Sequence, residues 1–143
     1  MIGAKTGDDR VRRLLEELKL PYDIDKDGDF RIVFNIDDTR SQVVAVESET
    51  RQVDNLEIRG VWSIGLKSEA PLHADVANAL LVHNGSVELG AWQLIRKEDD
   101  SCTAIFLCPI AANTTAASLR SVMHAVALAA DHIEEQLTGE DDF

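Results

Sequence analysis

Asp25-Lys26-Asp27-Gly28-Asp29-Phe30-Arg31-Ile32-Val33-Phe34-Asn35-Ile36 is the stretch on which the fold turns. Its opening carries the alternating carboxylates of a helix-loop-helix calcium site, where acidic side chains at every second position converge on one hard cation. Such a loop also needs glycine at its sixth position and glutamate at its twelfth. Phe30 and Ile36 stand there instead, and a start at Asp23 places Gly28 correctly but puts Phe34 at the twelfth position. Phe30, Ile32, Phe34 and Ile36 alternate strictly, which is the period of a strand. The segment therefore reads as the second arm of a β-hairpin, with Tyr22–Asp25 as the first arm and Asp27-Gly28 as turn formers. Asp25, Asp27 and Asp29 remain the candidate metal ligands should this turn take a cation.

Upstream, Val11, Leu14, Leu15 and Leu18 recur at helical spacing, so a helix is expected from about Asp9 to Lys19, capped by Asp8 or Asp9 and stopped by Pro21. Downstream, Ser41–Ser48 reads as a third strand, Glu49–Glu57 as a polar connection, and the series Ile58, Gly60, Trp62, Ile64, Leu66 as a fourth strand. Pro71–His83 turns helical, with Leu72, Val76, Ala79 and Leu80 on one side and Asn84-Gly85 as its stop. Val87–Arg96 returns to strand alternation. Cys102–Ile110 is apolar at nearly every position, which predicts a strand covered on both faces. Thr115–Leu137 carries the last apolar stripe, Leu119, Val122, Val126, Ala129, Ala130, Ile133 and Leu137, capped by Thr114 or Thr115 and ended by Gly139. The order α-β-β-β-β-α-β-β-α predicts an α+β fold, an antiparallel sheet with helices packed on it, in one domain over 1–143 with about 1–8 and 139–143 flexible.

Composition narrows the function classes. With 143 residues the chain can bury a core without disulfides or a structural metal. A net charge of −12 opposes nucleic acid and anionic membrane surfaces, because the phosphate term that dominates such affinities becomes repulsive. The excess is regional: residues 1–70 carry 11 basic and 15 acidic groups, residues 71–143 carry 3 and 11. The N-terminus lacks the apolar core of a secretory signal, so a cytoplasmic protein is expected. Cys102 and Cys108 on one strand would stand ~20 Å apart and cannot pair, so both read as buried free thiols. No two of His73, His83, His124 and His132 have the spacing of a zinc helix, and no nucleophile elbow or phosphate-binding glycine loop occurs. The chain is accordingly read as no enzyme and as needing no cofactor. Trp62 shares its face with Ile64 and Leu66 and is assigned to the core. Trp92 shares a mixed face with Glu88, Leu94 and Arg96, which leaves core packing and partner contact both open.

The turn Tyr22–Phe30, the strand around Val61-Trp62-Ser63, the segment Ala79–Asn84 leading to Leu89-Gly90-Ala91-Trp92, and the ending Ala130–Gly139 together resemble the YbjN-domain proteins of bacteria. These are similar in fold to the type III secretion chaperones. The resemblance spans Asp9 to Phe143 and rests on turns and core positions. It implies a small cytosolic α+β protein, usually a homodimer, without catalytic residues. Family members are labelled sensory transduction regulators, and the secretion chaperones bind extended client segments. The helix Leu72–His83 corresponds to the chaperone dimer interface, although the extended segment around Val43–Glu57 is extra here. The expectation is a non-enzymatic, homodimeric protein-binding module with an unidentified protein partner, using Leu72, Val76, Leu80 and Leu81 for self-association and Trp92 and Leu94 beside them. The alternative is an ion- or small-molecule-responsive regulator using the acidic turn Asp23–Asp29.

Overall fold

The computed structural model describes residues 6–138, so Gly139 and the acidic tail 140–143, expected to end the last helix and to fray, lie outside the described residues. Among the described residues, three helices and seven strands follow the order α1 (Asp9–Glu17), β1 (Asp23–Ile24), β2 (Phe30–Asn35), β3 (Ser41–Val46), β4 (Arg51–Val53), β5 (Leu56–Ser68), α2 (Ala74–Asn84), β6 (Ala91–Arg96), β7 (Cys102–Ala111), α3 (Ala116–Thr138). All strands join one antiparallel sheet in the order β1-β2-β3-β5-β7-β6, with β4 paired to the start of β5. The α+β class and the antiparallel sheet are as expected. Among the described residues, no helix is long and apolar enough to cross a membrane.

The element missing from the expected order is β4. Arg51, Gln52 and Val53 are all exposed, so they carry no burial alternation to read. What makes them a strand is pairing, Arg51 opposite Ile58 and Val53 opposite Leu56, closed by Asp54 at φ 53°. Of the start expected to be flexible, residues 1–5 lie outside the described residues, and Asp8 is tied to both α1 and the sheet. This residue caps α1 by accepting from Arg10 N–H at 2.8 Å, and its other oxygen accepts from the guanidinium of Arg59 at 3.1 Å. Arg59 is 1% exposed and also donates to the carbonyls of Glu47 and Ser48, both at 2.9 Å. Burial opposes ionisation of Asp8, but the hydrogen bonds from Arg10 and Arg59 prevail and hold its pKa down to about 2.

The helices pack on one side of the sheet. Val11 and Leu15 of α1, Phe30 and Ile32 of β2, Val44 and Val46 of β3, Phe106 of β7, and Leu119, Met123 and Val126 of α3 form a single core. Thr115 caps α3 by accepting from Ser118 N–H at 3.1 Å. Two acidic residues of α3, Asp131 and Glu134, are held in the interior by Arg40 from the β2–β3 connection, at 2.8 and 3.0 Å. This buried cluster ties the far end of α3 to the sheet. Cys102 and Cys108 are both free and buried on the core side of β7.

Candidate functional site

Strand parity assigns Trp62 to the core, and the structure places it on the other side. On β5 the row Arg59, Val61, Ser63 and Gly65 is buried, so Trp62 and Ile64 point away from the helices. A register shift between Ile64 and Leu66 returns Leu66 to the core side. Such a bulge inverts the facing of everything beyond it, and counting in twos through Gly65 therefore joins residues from both faces. Trp92, for which both placements were open, is 7% exposed and belongs to the core. Its ring fits because Gly65 has no side chain: a Cβ there would lie 2.3 Å from the Trp92 ring. The indole N–H donates to His83 Nδ1 at 2.8 Å, and Phe106 meets the ring edge-on with centroids 5.4 Å apart.

The side of the sheet away from the helices is largely apolar. Ladder pairing places Val43 of β3, Trp62 and Ile64 of β5, Ile105 and Leu107 of β7, and Ile95 of β6 on this face. The expectation that β7 is covered on both sides holds at Ile105, which neighbouring side chains bury to 5% exposure, but not for the face as a whole, because all three helices gather on the other side. Val33 of β2 adds to the open face at 63% exposure and Ile95 at 47%. Two clefts flank Trp62. One, of about 340 Å³, is walled by Val43, Ile64 and Lys67, and the other, of about 400 Å³, by Gln93, Ile95 and Leu107. Arg31 lies over the Trp62 ring, its guanidinium carbon 5.3 Å from the centroid.

The acidic turn has a structural task at the border of this face. Asp25 Oδ1 accepts from the N–H groups of Asp27 and Asp29 at 2.9 and 3.0 Å, and its Oδ2 pairs with Arg31 Nε at 3.0 Å. Burial works against the Asp25 charge, but these bonds outweigh it and its pKa is lowered. Gly28 takes φ 84°, which the tight turn requires. Asp29 accepts from Ser48 N–H at 3.0 Å, and burial pushes its pKa up. Asp27, Asp29, Glu47 and Glu49 line a cleft of about 200 Å³. Among the described residues no three His, Cys, Asp or Glu side chains are grouped to hold a metal ion. The turn thus orients Arg31 over Trp62.

The residues named for self-association fall into three groups. Leu80 and Trp92 are buried within their own chain, and Leu72 and Val76 are half-buried. Leu81, at 67% exposure, and Leu94 remain exposed, with Val82 beside Leu81. The alternation of Val87–Arg96 does not separate Trp92 from Leu94, because both occupy the same side of β6 and only Trp92 lies under the helices. Val33, Ile95, Ile105 and Leu107 are absent from the residues that the sequence singles out. The signal for the last two is the two-sided apolar run Cys102–Ile110.

A second concave region lies on the helix side, between α3 and the 85–90 loop. His83 and His132 both line it, their rings side by side with centroids 5.2 Å apart. Burial, and secondarily His132, lowers the pKa of His83.

These features define an α+β chain with one helix-covered and one open sheet face. No family model and no curated protein matches the chain. Among solved structures it is similar to YbjN from E. coli, described as "a putative transcription regulator", with a TM-score of 0.55 and 12% identity over 90% of this chain and 89% of that one. The likeness is one of fold: the chain has a YbjN-like fold.

Proposed function

We propose that the protein is a non-enzymatic binding module with a regulatory role, acting as a homodimer and receiving a partner polypeptide on its open sheet face. One observation carries this reading. β7 is apolar on both sides, yet the helices cover only one of them, so Trp62, Ile64 and Leu107 remain as accessible apolar surface around a cation-held aromatic ring. The buried thiols fit the non-enzymatic reading, since burial raises the pKa of Cys108 and makes it a poor nucleophile. The description of the E. coli neighbour as a regulator points the same way. With a net charge of −12, regulation through protein contact is favoured over direct contact with DNA. Self-association is assigned to Leu81 and Leu94, with the half-buried Leu72 and Val76 at the border.

The test compares polypeptides retained by the wild-type chain with those retained by Val33→Lys/Ile95→Lys, two exposed positions whose substitution spares the core. A partner retained only by the wild type supports the reading, and identical retention overturns it. Light scattering tests the dimer. Leu81→Glu should halve the mass of the wild-type particle, and either a monomeric wild type or a variant that stays dimeric removes that assignment.

A further inference from the structure

The groove between the C-terminal half of α3 and the 85–90 loop has a volume of about 530 Å³ and opens to solvent along one side. Its apolar wall comes from Leu89, Ala125 and Leu128, of which Leu89 and Leu128 are 46% and 43% exposed. Its charged wall is of one sign. Glu88 and Glu135 line it, no Lys or Arg does, and neither glutamate has an ion-pair partner among the described residues. The third lining carboxylate, Asp131, is engaged by Arg40. The last turn of α3 holds no basic residue to offset this negative charge. His83 does not offset it: its Nδ1 accepts the Trp92 N–H, and burial favours the neutral ring.

We propose that this groove docks a cationic, amphipathic segment of a partner polypeptide. A lysine or arginine head is drawn to Glu88 and Glu135, while its aliphatic stem and a neighbouring apolar side chain lie along Leu89, Ala125 and Leu128. Long basic side chains suit such a site because they bury their carbons and keep the charge at the rim. Charge complementarity selects the occupant, since an acidic or phosphorylated segment would meet Glu88 and Glu135 with no Lys or Arg to receive it. A small organic cation fits less well, because small-ligand sites enclose roughly 70–90% of the ligand and this groove is open. The groove lies on the helix side, away from Trp62, so the proposal stands or falls independently of what covers the open sheet face.

A displayed library of random twelve-residue peptides, selected against the full chain, tests this directly. Enriched peptides should carry Lys or Arg beside Leu, Ile, Val or Met, and their amide resonance perturbations should map to Ala125, Leu128 and His132. Synthetic copies should bind Glu88→Gln/Glu135→Gln roughly tenfold more weakly, as expected for the loss of two rim charges, with Lys→Glu copies not binding at all. Both glutamates are exposed, so the double variant keeps its fold. No enrichment, enrichment without basic residues, or affinity indifferent to the double variant would overturn the proposal. Spermidine or butylammonium binding the groove as tightly as the peptides would reassign it to a small cation.

Discussion

Replacing Asp8 by alanine tests how α1 is held on the sheet. Two losses combine. The N-cap bond to Arg10 N–H disappears, which costs about 1 kcal/mol. Arg59, buried at 1% exposure, loses its carboxylate partner but keeps the carbonyls of Glu47 and Ser48, so the cost falls below the usual range for a broken buried pair, at about 2 kcal/mol. With a urea slope of about 2 kcal/mol/M, the expected total of about 3 kcal/mol lowers the midpoint by about 1.5 M and leaves the slope unchanged. Asn retains capping ability, so Asp8→Asn should lose only about 2 kcal/mol. In an Arg59→Met background the effect of Asp8→Asn should shrink to the small share of the exposed Arg10, which isolates the buried pair in a double-mutant cycle. The pH dependence follows from the lowered pKa. The stabilisation from Asp8 is complete above its ordinary pKa of 3.8 and is lost as pH falls toward about 2. A change below about 0.5 kcal/mol for Asp8→Ala, or an Asp8→Asn effect undiminished by Arg59→Met, would refute the reasoning.

Three further outcomes are expected. Gly65→Ala forces a methyl against the Trp92 ring, which His83 and Phe106 hold in place, so thermal unfolding should show a loss of about 1–3 kcal/mol and near-UV circular dichroism should change. Leu80→Ala should cost about 2–5 kcal/mol in denaturant unfolding, while Leu81→Ala, one residue on and exposed, stays within about 0.5 kcal/mol at protein concentrations too low for self-association. His83 has a folded pKa below its ordinary 6.5, so its contribution is complete above pH 6.5 and declines on acidification, and His83→Gln should flatten the acid side of the stability profile.

The candidate surfaces are partly legible in the chain. Asp25–Asp29 is recognisable as a turn by the failure of its calcium pattern, but its link to Arg31 and Trp62 depends on which way β2 faces. The acidic bias of residues 71–143 is visible, whereas its concentration at Glu88 and Glu135 requires the 85–90 loop to return beside α3. Asp131 and Glu134 read as ordinary helix charges in the sequence, because the residue that holds them, Arg40, comes 91 and 94 positions earlier.

By itself the sequence determined the strands, helices and turns that local chemistry dictates: the alternation Phe30–Ile36, caps at Asp8 or Asp9 and at Thr114 or Thr115, between which the hydrogen bonds choose Asp8 and Thr115, and the stripe of α3. The tertiary structure alone decided which side of each strand is covered. Period-two alternation distinguishes two faces without saying which receives the helices, and a bulge at Gly65 reverses that parity partway along β5. It is long-range packing that put Trp92 inside and left Trp62 on the open face.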